Sequence, residues 1–101
     1  MSQPSSMPAD DRFHSAHVPE LCPGFIRLTW DPVWAVEKRI RVCDYTCDCV
    51  PTFYELCQAG GQYFIRRTRR VGGEVLVDQS ALGGRAQTFL VWIKVLTGVA
   101  A

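Results

Sequence analysis

Gly60-Gly61 divides two strand-like runs, 53–58 and 62–68. Paired glycines supply the positive φ that a type I′ turn needs at both central positions, and that turn joins antiparallel strands. The turn also dictates a register. With the glycines central, Ala59 faces Gln62, so Leu56 meets Ile65, Cys57 meets Phe64 and Glu55 meets Arg66. Apolar side chains meet apolar ones and acid meets base. A slip of one residue would turn every side chain to the other face and destroy all three matches.

Further elements build outward from this hairpin. Phe25 to Trp30 reads as a strand with Ile26, Leu28 and Trp30 on one face, interrupted by Asp31-Pro32 because proline cannot donate to a ladder. The next stretch could start a helix capped by Asp31, but Trp34, Val36, Ile40 and Val42 alternate with Ala35, Glu37, Arg39 and Arg41. Period two fits better than 3.6, so 34–43 is expected to be a strand. Gly72-Gly73 marks another turn, Glu74–Asp78 a short strand, and Gly83-Gly84 the end of the strand region. From Arg85 to about Thr97 a helix is expected, with Phe89, Ile93 and Leu96 inward, Ala86, Leu90 and Trp92 widening the stripe, and Gly98 as its C-terminal cap. A sheet with one apolar face needs a lid, and this helix is the candidate. The expected fold is α+β: a four- or five-stranded antiparallel meander with one C-terminal helix packed on one face. Residues 25–101 would form the domain. Residues 1–24 hold four of the six prolines and no apolar periodicity, so they read as a flexible, disordered tail.

A chain of 101 residues suits one domain. No run approaches the roughly 18 apolar residues needed to span a bilayer, so no membrane association is expected. The N-terminus lacks the basic and apolar regions of a secretory signal, which makes the cytoplasm the expected location. There, thiols stay reduced and cysteines read as packing, metal or redox groups before they read as disulfides.

Four of the five cysteines, Cys43, Cys47, Cys49 and Cys57, crowd into 15 residues. Zinc held by Cys43, Cys47 and Cys49 is one reading, but C-x3-C-x-C-x7-C contains no C-x2-C knuckle. A hairpin loop over Asp44–Pro51 would put Cys43 near Thr52 and far from Cys57. A further donor would have to be Cys22, His14 or His17, folded back from the tail. Redox chemistry at the C-x-C pair is disfavoured by Asp44 and Asp48, which oppose the thiolate. The leading expectation is that Cys43 and Cys57 pack in the core, with no cofactor.

Net charge is +1, so the chain as a whole makes no electrostatic case for nucleic acid. The local run Arg66, Arg67, Arg69 and Arg70 does. Tyr54, Tyr63 and Trp30 could stack on bases nearby, but strand alternation splits Arg66 from Arg67 and Arg69.

The chain contains no nucleophile constellation, P-loop, G-x-G-x-x-G or H-E-x-x-H, so an enzyme is not expected. The preferred expectation is an interaction domain that binds a protein partner or forms a homodimer. Trp34 and Trp92 would anchor it, with Val91 and Val95 as a second apolar helix face. Nucleic-acid binding through the arginines is the second reading, and a zinc module the third.

Overall fold

The computed structural model describes residues 16–32 and 39–101. Five strands form one antiparallel sheet: β1 (Asp31–Pro32), β2 (Arg41–Tyr45), β3 (Thr52–Ala59), β4 (Gln62–Val71) and β5 (Glu74–Gln79). A C-terminal helix, α1 (Arg85–Leu96), follows and is the one helix among the described residues. The order across the sheet is β1-β5-β4-β3-β2. β2 to β5 are therefore a meander, and β1 is added at the edge beyond β5. The α+β class is the one expected.

The central hairpin has the register dictated by Gly60-Gly61. Leu56 faces Ile65, Cys57 faces Phe64, Glu55 faces Arg66 and Ala59 faces Gln62. Both glycines have positive φ, +58° and +79°, as the I′ turn demands. Gly72 and Gly73 repeat the arrangement between β4 and β5.

Two flanking elements differ from expectation. Phe25–Trp30 does not join the sheet. It runs beside the chain's C-terminal end, where Ile26 bridges Ala100 in parallel and the Leu28 N–H donates to the Ala101 carbonyl. Asp31-Pro32, expected to interrupt a strand, supplies the sheet's β1 at an edge, where proline's missing N–H has no partner to lose. Of the strand expected over 34–43, residues 33–38 lie outside the described residues, and β2 starts at Arg41 and continues to Tyr45. The loop is thus 46–51 and not Asp44–Pro51. Thr46 explains the extension: its N–H donates to Tyr54 O and its hydroxyl accepts the Tyr54 N–H, each at 2.9 Å.

The core lies between the sheet and α1. Leu56 and Ile65 meet Trp92 and Val95 there, beside Tyr54. Burying each such side chain contributes about 1.5–3 kcal/mol. The helix turns part of its expected stripe to the sheet, since Trp92 is buried and Phe89 and Leu96 pack on the core, but the buried face is shifted from the expected one. Thr88, Trp92 and Val95 are buried, while Leu90 and Ile93 stay 62% and 54% exposed. Residues 89–93 are all apolar, so periodicity alone could not set the rotation. Polar contacts to the sheet set it: Trp92 Nε1 donates to Asp44 Oδ2 at 3.0 Å, and the Thr88 hydroxyl, bonded within the helix to Gly84 O at 2.9 Å, also reaches Tyr63 O at 3.5 Å. A Schellman turn ends the helix, with Val99 N–H bonded to Lys94 O and Gly98, at φ +77°, bonded to Val95 O.

Of the expected tail, residues 1–15 lie outside the described residues. Residues 16–24 are laid against the domain. Val18 packs on the core, the Cys22 N–H donates to Gly98 O at 2.9 Å, and Ala16 O accepts the Cys47 N–H at 2.9 Å.

Candidate functional site

The loop after β2 brings chemistry-bearing side chains together. Side chains at i and i+2 of an extended strand stand well apart on one face. At Asp48–Cys49 the chain turns, and Cys47 Sγ and Cys49 Sγ come within 3.0 Å. His17 reaches them from 30 residues away, its Nε2 lying 3.2 Å from Cys49 Sγ. The three donor atoms lie within 4.8 Å of one another. Cys47 is buried, whereas Cys49 and His17 are exposed. The hydrogen bond with Cys47 holds the Cys49 thiol above its ordinary pKa, with partial desolvation by its neighbours, the Cys47 charge and Asp48 adding to the effect.

The loop is clamped from beneath. Arg70 Nη1 donates to Asp48 O at 2.8 Å and Val50 O at 3.3 Å, and the Arg70 N–H donates to Pro51 O. The bond from Cys47 N–H to Ala16 O fixes the incoming segment. His17 is thus the donor folded back from the N-terminal segment. His14 lies outside the described residues, and Cys22 sits elsewhere, its Sγ 3.9 Å from Thr97 O.

Cys43 departs from expectation. It is exposed and stands in a β-bulge between Val42 and Asp44, beside the position opposite Cys57. It neither packs in the core nor joins the donor cluster. The reason is that β2 runs on to Tyr45, which places Cys43 in the strand and not at the mouth of the loop. Cys57 is fully buried as expected, and burial pushes its thiol up to about 11. Among the described residues no disulfide joins any cysteines.

The arginine run is committed internally. On one face Arg66 Nε donates to Glu55 Oε1 at 2.8 Å. On the other, Arg67 and Arg69 share Asp78 at 2.7 and 3.0 Å. Arg67 also stacks 4.4 Å from the Trp30 ring, and Arg70 lies 5.2 Å from the Phe53 ring. β4 is central in the sheet, so these side chains are not a basic edge. Tyr54 is buried, and Tyr63 and Trp30 are half-buried against Phe89 and Tyr54. Among the described residues, Tyr54, Tyr63 and Trp30 offer no open stacking platform beside these arginines.

The expected protein-binding residues are placed differently too. Trp92 and Val95 are core residues: Trp92 lies on the inward stripe, and the shifted phase brings Val95 inward while Ile93 faces solvent. Val91 is half-buried and lines a cleft of about 280 Å³ with Leu28, Ser80, Leu82, Gln87 and Thr88, all neutral. Trp34 lies outside the described residues. Exposed apolar surface lies on the outer side of α1, at Leu90 and Ile93, and on β5, where Val75, Leu76 and Val77 are 63%, 39% and 36% exposed. Sequence reasoning placed this strand but missed its exposure: α1 packs mainly over β4 and leaves Leu76 open on the helix side, while Val75 and Val77 point to the opposite face.

Scans against protein-family models, curated proteins and solved structures found no match to this chain. Among the described residues no helix is long and apolar enough to cross a membrane.

Proposed function

We propose that the protein is an interaction domain that pairs with a second copy of itself through the open stretch of β5. One observation carries this reading. β5 is paired on its outer side only at Asp78 and Gln79, by Pro32 and Asp31, and among the described residues no strand covers Glu74–Val77 on that side. This stretch offers backbone donors and acceptors together with three consecutive exposed apolar side chains. Natural sheets blunt such edges with charge, bulges or cover. The sequence is also self-complementary. A two-fold axis at Leu76 sets Leu76 opposite its twin and Val75 opposite Val77, with matched side chains on matched faces. The two chains would then share one sheet of eight strands, β2-β3-β4-β5 from each, joined over Val75–Val77, with each β1 lying beyond the paired stretch.

Sedimentation equilibrium of the full chain over a wide concentration range tests the reading. A dimer is expected, and Leu76→Lys, at an exposed position, should give a folded monomer. A wild-type chain that stays monomeric at high concentration overturns the reading. So does a dimer that persists in Leu76→Lys, or a monomer that captures only some other protein.

A further inference from the structure

We propose that His17, Cys47 and Cys49 form a binding site for a thiophilic divalent cation, with zinc the ion that suits two sulfurs and one imidazole nitrogen. The site is independent of the β5 edge and does not rest on self-association.

The donor set comes first. Thiolate and imidazole are the ligands zinc takes in tetrahedral sites, at about 2.3 Å to sulfur and about 2.0–2.1 Å to nitrogen. Those bond lengths place two sulfurs about 3.8 Å apart, and a sulfur and a nitrogen about 3.6 Å apart. The two thiols stand at 3.0 Å and the thiol–imidazole pair at 3.2 Å. Admitting an ion therefore requires these two pairs to open by less than about 1 Å, and the His17–Cys47 pair, within 4.8 Å, to shift by no more than about 1.2 Å. Cys49 and His17 are exposed and free to turn by that amount, while Cys47 is buried and held through its backbone.

The scaffold comes second. Arg70 grips the loop carbonyls on either side of Cys49, Thr46 locks the loop to β3, and Ala16 ties the histidine segment to Cys47. The three donors are thus positioned by backbone contacts made without the ion. Two thiolates would neutralise the divalent charge, and water can take the remaining tetrahedral position. Bound metal would link the N-terminal segment to the β2–β3 loop, closing a circuit of about 30 residues.

The test uses the full chain, reduced and stripped of metal by chelation, then titrated with Co2+ as a spectroscopic probe for zinc. One equivalent should bind, giving a thiolate-to-cobalt charge-transfer band and tetrahedral d–d absorption that Zn2+ abolishes. Cys49→Ser and His17→Gln, both at exposed positions, should retain the wild-type circular dichroism and bind more than an order of magnitude more weakly. Cys22→Ser and Cys43→Ser should bind as the wild type does. Absence of stoichiometric uptake overturns the proposal. Six-coordinate cobalt without a thiolate band overturns it as well, as does binding lost in Cys43→Ser but kept in Cys49→Ser.

Discussion

Trp92 Nε1 donates a 3.0 Å hydrogen bond to Asp44 Oδ2 across 48 residues of sequence. The bond ties the centre of α1 to edge strand β2, and with Thr88 it sets the rotation of the helix over the sheet. Asp44 is exposed, so its carboxylate keeps water on one side.

Trp92→Phe keeps an aromatic ring in the core and removes the donor. A hydrogen bond to a charged group contributes about 1.5–3 kcal/mol, and the loss should fall near the low end because the freed carboxylate can rehydrate. Trp92→Ala also leaves a cavity and should cost about 3–5 kcal/mol. Urea denaturation of Trp92→Phe, Asp44→Ala and the double variant checks the pairing. The double variant should lose less than the two single losses added together. Strict additivity would mean that the bond does not hold the helix.

How far these features are legible in the sequence depends on what each residue has to signal it. Gly60-Gly61 states its turn type, and the turn specifies every pair from Ala59↔Gln62 down to Glu55↔Arg66. Gly98 likewise marks the helix end that the Schellman turn confirms. The rotation of α1 was not legible, because residues 89–93 offer no polar position to mark the solvent face. The side of the helix that is buried follows from Asp44, far away in sequence. The donor cluster fails to read for a related reason. Its spacing matches no local motif, and His17 reaches Cys49 only because Val18 docks in the core and Ala16 bonds to Cys47. Cys43 looked like a member because it is close in sequence, whereas the bulged strand carries it away.

Asp78 should make stability depend on acidity. The hydrogen bond from Arg67 holds its carboxyl below the ordinary value, with the Arg67 and Arg69 charges adding to this against some desolvation. A group depressed in the folded state stabilises it above the unfolded pKa, about 3.9, and that contribution disappears as pH falls through the folded value. Asp78→Asn lacks the contribution and leaves two arginines without their shared partner. The stability gap between wild type and Asp78→Asn should therefore be widest near neutrality and close between about pH 5 and about pH 2. A gap that is constant across that range would show that the shared carboxylate does not stabilise the fold.

Thiol reactivity should separate the cysteines by environment. Cys57 is fully buried opposite Phe64, with its thiol pushed up to about 11. The thiolate is the nucleophile, so both shielding and the scarce thiolate protect it. Brief alkylation of the native chain at mildly alkaline pH, read by peptide mass, should label Cys22 and Cys43 and spare Cys57 until denaturant is added. Equal labelling of Cys57 and Cys43 in the folded chain would contradict the β3–β4 packing.

Gly61 and Gly98 share a left-handed backbone but differ in surroundings, and alanine at each should separate the two effects. At Gly61, φ +79°, a Cβ would meet nothing within 4 Å. Gly61→Ala should cost only the backbone term, about 1–2 kcal/mol. At Gly98, φ +77°, the added Cβ would stand 2.7 Å from the Glu20 carbonyl oxygen and 3.4 Å from Pro19 Cγ. A backbone oxygen cannot rotate aside, so either the helix end or the segment carrying Glu20 must move. Gly98→Ala should cost roughly twice as much as Gly61→Ala, the excess coming from the clash. The segment displaced also carries His17, three residues before Glu20. Gly98→Ala should therefore weaken Co2+ uptake without altering any donor, while Gly61→Ala, at the other end of β3 from the donor loop, should leave uptake unchanged. Equal stability losses in the two variants would show that residues 19–22 are not docked against the end of the helix, and His17 would then lose the anchor that brings it to Cys49.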